Sequence, residues 1–309
     1  MKFVYFGSAK FSCIILESLY LEGYKPSLVI SQPDRPKGRG RKVLPTEVSL
    51  FAKDKGLSLI KPESLKTSQI VEKLNDQEAL FFIVADYGKI LPSSILSIPK
   101  VFTVGVHPSL LPFYRGAAPI NWAIINGDKE TAVTIFKVDV KMDAGEVIVS
   151  RKVVIADNDN ALSLTEELAK IGAKSLIQVL GEVEAGKYNL SPQDEKNVTF
   201  ARKLSKNDGR IDWKNSAGNI RNLIRGVWGW PGAYTYYKDK VIKVIESQSN
   251  DNESNQEPSR IIKIDKGGIY VATGKGVLIL KVLKPEGKKE MDANAFICGY
   301  RIKTGDKFI

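Results

Sequence analysis

The sequence predicts an α/β protein carrying a smaller antiparallel β module after it, and three observations support this. The chain opens strand–turn–helix–strand. "KFVYF" is an apolar run ending at Gly7, residues 11–23 place apolar side chains at helical spacing, and "SLVIS" at 27–31 is a second strand. That order is the start of a parallel sheet. "ALFFIVADYG" at 79–88 is continuously apolar, as a strand covered on both faces must be. Beyond Ile211, short β-rich runs alternate with turn residues, the pattern of a small antiparallel barrel or sandwich.

Composition sets the outer bounds. The chain has 309 residues, 43% hydrophobic and 26% charged, enough for two ordinary domains. It has no apolar run long enough for a transmembrane helix and no apolar core of a signal peptide near its first residue. Cys13 and Cys298 stand far apart without metal-ligand spacing, so reduced thiols, a cytoplasmic setting and no metal are expected. The net charge of +11 points to an anionic ligand, either a nucleic acid or a polyanionic small molecule, unless it is only a lysine-rich surface. The excess is denser towards the C-terminus, with 18 Lys/Arg against 12 Asp/Glu over residues 207–309.

The remaining elements follow in order. The turn "GSAKFS" lacks G-x-G-x-x-G, which argues against a dinucleotide fingerprint. Residues 32–45, "QPDRPKGRGRKVLP", hold three Pro and two Gly around Arg35, Lys37, Arg39, Arg41 and Lys42. Pro and Gly exclude a regular helix, so this is an exposed basic loop, either solvated or poised to close on phosphates. Residues 46–56 and 64–76 read as helices around a short strand, "LSLIKP". The run at 79–88 ends in Asp86, Tyr87 and Gly88, at the strand edge where open α/β sheets bind ligands. "VFTVGVH" is the next strand and "APINWAIING" a helix ending at Gly127. "AVTIFKVDV" and "EVIVSRKVVI" alternate around "KMDAGE", a hairpin-like pair, and residues 161–186 form one long amphipathic helix. The expected division is a domain over 1–188, a polar linker over 189–208 and a second domain over 209–309. In the last, "SAGNIRNLIRG" is helical and residues 247–259 form a polar hairpin loop. Trp213, Trp228 and Trp230 are expected in packing rather than base stacking.

Residues 101–145 concentrate the chemistry. They hold His107, the only histidine, and Asp143 in a turn setting. Taken alone, His107 is as readily a core or capping residue as a catalyst, and Asp143 as readily a turn residue bonding its own backbone. "QPDRPKGRGRKVLP", "KPESLK", "VHPSLLPFYRGAAPINWAIINGDKETAVTIF", "MDAGEVI", "ARKLSKNDGRIDW" and "IRGVWGWPGAY" together resemble the methionyl-tRNA formyltransferase family. The "SLLPxxRGAAPI" motif alone marks the wider group of enzymes that use 10-formyltetrahydrofolate.

The resemblance implies a Rossmann-like formyltransferase domain and a C-terminal OB-like β-barrel. It implies formyl transfer from 10-formyltetrahydrofolate to the α-amine of initiator methionyl-tRNA in translation initiation, by a monomeric cytoplasmic enzyme. The folate would lie along Val84, Ala85, Asp86, Tyr87 and Gly88 and the turn Ser109, Leu110, Leu111 and Pro112. Arg35, Lys37, Arg39, Arg41 and Lys42 would contact tRNA. The family's catalytic Asn-x-His pair and distant Asp fall on Gly105, His107 and Asp143, so a glycine stands where the Asn is expected. That departure keeps open a catalytically impaired folate- or tRNA-binding homologue. A sugar N-formyltransferase shares the same folate turn, but the basic loop argues against it.

Overall fold

The first apolar run becomes strand β1 (Phe3–Gly7), buried at all five positions. The chain is described from a computed structural model over residues 1–37, 42–250, 252 and 254–309. Helix α1 (Lys10–Leu21) turns Phe11, Ile15, Leu16 and Leu19 inward and gives way to Gly23, whose φ of +84° suits a residue without a Cβ. Strand β2 (Leu28–Ile30) returns parallel to β1. The basic segment holds an antiparallel pair, β3 (Arg35–Lys37) and β4 (Lys42–Leu44). Helix α2 (Glu47–Asp54) is capped by the Thr46 side chain, which accepts from Ser49 N. Strand β5 (Leu59–Ile60) completes the second crossover, and helix α3 (Ser68–Asn75) lies in the connection that follows.

The run expected at the centre is central. Strand β6 (Phe81–Ala85) lies parallel between β1 and β7 (Phe102–His107), with the short helix α4 (Ser93–Leu96) in the connection. After β8 (Arg115–Gly116) and α5 (Pro119–Asn126) come β9 (Glu130–Lys137) and β10 (Val147–Val154). They form the expected hairpin and add antiparallel to β7, giving the sheet order β10-β9-β7-β6-β1-β2-β5.

Strand alternation sorts the residues between the two faces. Helix α6 (Ala161–Glu184) covers one face, where a Cβ added at Gly172 would touch Val106 and Val133 at 3.1 Å. Gly105 and His107 project from the opposite face. That face carries the core of Val4, Phe6, Leu28, Ile30, Phe82, Tyr87, Leu91 and Ile95.

The chain divides into two units that are not contiguous in sequence. The first comprises residues 1–119, 130–154 and 164–202, and the second residues 120–129, 155–163 and 203–309. The expected linker thus divides at Arg202. Its first part belongs to the first unit because β11 (Phe200–Ala201) pairs with β8 and Ser191 bridges to Val147. The second unit gains residues 120–129 and 155–163 through side-chain bonds to main chain: Asn121 Nδ2 donates to the Gly226 carbonyl, and Arg225 Nη1 to the carbonyls of Ala156 and Asp159.

In the second unit helix α7 (Ala217–Gly226), capped by Ser216, precedes an antiparallel sheet. Its strands are β12 (Tyr234–Tyr237), β13 (Lys240–Asn250), β14 (Ile261–Asp265), β15 (Gly268–Ala272) and β16 (Val277–Pro285), in the order β12-β13-β16-β15-β14. The open edges are bridged by the last residues. Ile309 exchanges main-chain bonds with Tyr236, and Phe308 N donates to the Ser259 carbonyl. Strand β13 runs through Asn250, so the polar loop begins later than 247: pairing with β16 is a main-chain matter that polar side chains do not prevent. The short β17 (Met291–Asp292) and helix α8 (Ala293–Tyr300) were not anticipated, although Asp292 caps the helix by accepting from Ala295 N. Trp213 packs as expected, stacked on Phe308 and donating to Thr235 Oγ1 at 3.0 Å. Trp228 and Trp230 do not: they are 37% and 53% exposed.

Candidate active site

His107 closes β7 at the carboxyl edge of the sheet and is only 6% exposed. Its Nε2 lies 2.9 Å from the Tyr114 carbonyl, which only a protonated ring nitrogen can meet as a donor. That contact assigns the proton to Nε2 and turns Nδ1 towards Asp143, whose Oδ2 is 3.7 Å away. Nδ1 is then the ring nitrogen with a free lone pair.

Asp143 sits in the left-handed region, φ +53°, in the turn after β9. Its Oδ2 also accepts from Gly116 N at 2.8 Å. The turn crosses the end of β9 so closely that a Cβ at Gly145 would fall 1.7 Å from the Lys137 carbonyl oxygen, so this position admits only glycine. From the segment expected as a linker, Gln193 Nε2 donates to the carbonyls of Asp143 (2.9 Å) and Gly145 (2.7 Å). Arg115 is buried in the same place and bonds Gln193 Oε1 and the Glu195 carboxylate, which it holds below the usual carboxylate range.

The turn of Ser109, Leu110, Leu111 and Pro112 is fastened to the sheet by Thr134. Its Oγ1 donates to the Ser109 carbonyl at 2.6 Å and accepts from Leu111 N at 3.3 Å. Ser109 Oγ donates to the Phe113 carbonyl at 2.6 Å. Its side chain is buried and spent on the turn, whereas Leu110 and Pro112 remain partly accessible.

Gly105 lies two residues before His107, on the same face, opposite Phe136 of β9. The space above it is filled: a Cβ at Gly105 would lie 2.3 Å from Phe136 Cε1 and 2.5 Å from Cζ. Phe136 is 4% exposed, so its ring has little room to withdraw. The volume an asparagine would occupy is taken by an aromatic side chain from the neighbouring strand.

The other expected residues separate by depth. Val84 is partly accessible on the His107 face, and Ala85 is buried. Asp86, at φ +42°, is an exposed residue, yet desolvation of its carboxyl raises it above the ordinary value, while His107 pulls it the other way. Tyr87 turns into the core, edge-on to Phe6, and burial raises its hydroxyl to about 12. Only its main chain borders the site. Gln32, which sequence reasoning missed, donates through Nε2 to the Tyr87 carbonyl at 2.7 Å and covers Gly88, where a Cβ would meet that nitrogen at 2.4 Å. In the basic loop, Arg35 Nη2 bonds Glu63 at 2.7 Å and Lys42 is exposed on β4. Lys37 lies in β3, and Arg39 and Arg41 fall outside the described residues. Among the described residues no cluster of His, Cys, Asp and Glu could hold a metal, and no helix is long and apolar enough to cross a membrane.

A mostly parallel sheet followed by an antiparallel module fits a formyltransferase. The family profiles agree: residues 1–180 match the formyl transferase family and residues 203–301 its C-terminal domain. A methionyl-tRNA formyltransferase of Thermodesulfovibrio yellowstonii is 42% identical over 302 residues, covering 98% of this chain and 97% of the relative. One from Caldanaerobacter subterraneus is 38% identical, covering 99% of each. The chain belongs to the methionyl-tRNA formyltransferase family. Among solved structures, HypX from Aquifex aeolicus in complex with tetrahydrofolic acid superposes with a TM-score of 0.64 at 14% identity, over 99% of this chain and 48% of HypX. WlaRD, a sugar 3N-formyl transferase solved with dTDP and 5-N-formyl-THF, gives 0.64 at 18%, over 94% and 99%. At these identities both share the fold alone.

Proposed function

We propose that the protein transfers the formyl group of 10-formyltetrahydrofolate to the α-amine of methionine on initiator tRNA. The observation that carries this reading is the pairing of the single histidine with Asp143 at the sheet's carboxyl edge, in a chain whose full-length relatives carry that name. The amine nitrogen bonds to the formyl carbon and the carbon–N10 bond breaks. One proton leaves the amine and one reaches the departing nitrogen, so no oxidant or metal enters the balance. His107 Nδ1 takes the amine proton, and the Asp143 carboxylate stabilises the imidazolium. The folate ring would be held by the main chain around Val84 and Gly88 and by the turn at Ser109, Leu110, Leu111 and Pro112. The Asp86 carboxyl would offer hydrogen-bond partners suited to an aminopyrimidinone edge. Arg35, Lys37, Arg39, Arg41 and Lys42 would meet tRNA phosphates, with Arg35 exchanging Glu63 for phosphate. We take the enzyme to act as a cytoplasmic monomer in two domains.

The test is formylation of charged initiator tRNA with 10-formyltetrahydrofolate as donor, read as formyl-methionine on the tRNA. Product from the wild-type protein is expected, and its absence under saturating donor sinks the assignment. Neutralising Arg39 and Arg41 together should weaken tRNA use, increasingly so at higher salt, and leave folate binding unchanged. Equal loss of both would show that the loop's role is misread.

A further inference from the structure

We infer that Gln193 is a positioning residue for the His107–Asp143 pair, acting through a clasp formed by residues 189–202. The inference rests on the formyl-transfer reading only for its activity readout. Two contacts set the orientation of the His107 ring, the Tyr114 carbonyl on Nε2 and the Asp143 carboxylate facing Nδ1. Both groups sit on residues in the left-handed region, Tyr114 at φ +60° and Asp143 at φ +53°. Tyr114 is held where its bulky side chain is disfavoured, and although an aspartate tolerates this region, the direction in which Asp143 presents its carboxylate still depends on how its turn is anchored.

The same short segment holds both. Thr199 Oγ1 accepts from Tyr114 N at 2.8 Å, and the Thr199 carbonyl accepts from Arg115 N at 2.9 Å. Ser191 and Val147 exchange main-chain bonds on the far side of the Asp143 turn. Between these fixings, Gln193 donates to both carbonyls that bracket the turn, those of Asp143 and Gly145. Its amide can be placed only one way round. Arg115 Nε and Nη2 donate to its oxygen at 3.0 and 2.8 Å, so its nitrogen must face the carbonyls. The Arg115 fork is itself completed by Glu195, with Nη2 to Oε1 at 2.7 Å. Glu195 and Gln193 thus orient Arg115, Arg115 orients the amide, and the amide holds the backbone that presents Asp143 to His107. Gln193 does not contact the imidazole. Its effect reaches the ring only through the Asp143 turn.

Two variants and two readouts test this. Gln193→Leu keeps the volume and removes all four bonds, while Gln193→Glu keeps an acceptor for Arg115 and removes the donor. In formylation, kcat should fall about ten- to a hundredfold in both, the range typical of lost outer-shell partners, with KM for the folate donor unchanged. The second readout needs no substrate. The chain has one histidine, so its ring ¹⁵N and ¹³C resonances report His107 alone. Both variants should shift them, Gln193→Leu more than Gln193→Glu. Unchanged ring resonances with a lowered melting temperature would mean a merely structural role and overturn the proposal, as would wild-type kcat in both variants. If the wild-type protein proves inactive, the functional reading fails, but shifted resonances in both variants still support the clasp and unshifted ones still overturn it. Should Gln193→Leu not fold, the Glu variant decides by the same criteria.

Discussion

The two sides of His107 are built on opposite principles. On the Asp143 side the turn is fixed by directed bonds: a carboxylate oxygen on Gly116 N, two carbonyls on Gln193, and the buried Arg115 behind them. On the Gly105 side a glycine is covered by the edge of Phe136. The first arrangement holds charge in place by directed bonds and fails when one is removed. The second holds shape by close packing and fails when volume is added. One strand end thus carries both a tightly specified electrostatic limb and a purely steric one.

The largest expected effect breaks the electrostatic limb. Asp143→Asn keeps an acceptor for Gly116 N but removes the charge beside Nδ1, and single-turnover formyl transfer should slow by about 10³- to 10⁴-fold, the scale seen when a histidine loses its orienting carboxylate. Retention of more than a tenth of the wild-type rate would show that the pair does not act together.

The steric limb predicts a non-additive pair. Gly105→Asn alone should lose about 1–3 kcal/mol to overpacking against Phe136 and gain no activity. Combined with Phe136→Ala, the same Asn has room, and kcat should exceed that of both single variants. An oxyanion donor of this kind is worth about 100- to 1000-fold where it is aligned. Denaturant unfolding and formylation on the four proteins close the cycle. A stable, faster Gly105→Asn single variant would mean that the ring moves aside freely and that the glycine is no adaptation to it.

The smallest effect concerns Asp86, on the neighbouring strand end. Its folded-state carboxyl binds its proton more tightly than in the unfolded chain. Between the ordinary carboxylate value and that raised value the folded state holds more protons, so stability falls as pH rises through this window. Asp86→Asn should therefore raise the melting temperature at pH 7, and the gain should vanish below the ordinary carboxylate range. A gain independent of pH would assign it to packing instead of protonation.

Much of this was legible in the linear sequence, for a local reason. Apolar continuity over 79–88, alternation on either side of "KMDAGE" and helical spacing over 161–186 reproduce the sheet and its covering helix, because those periods arise from backbone geometry shared by all chains. The motif around His107 gave the pair its partner across the turn. Gln32, Gln193 and Phe136 were not legible as site residues. Each is an ordinary residue in its own stretch and matters only through what lies across the fold: the Tyr87 carbonyl, the Asp143 turn and the open side of Gly105. Tyr87 was expected to line the site, but at the end of its strand the core could bury the ring.

The amino-acid sequence by itself determined the class of fold and the order of its elements, since hydrophobic period is a short-range property, while the histidine–aspartate pair was implied by the resemblance to the family. Only the tertiary structure decided what fills the place of the family's asparagine and what anchors the Asp143 turn against His107. Both depend on which side chains the strand register and the returning segment 189–202 bring together, and volume and hydrogen-bond satisfaction are settled only there.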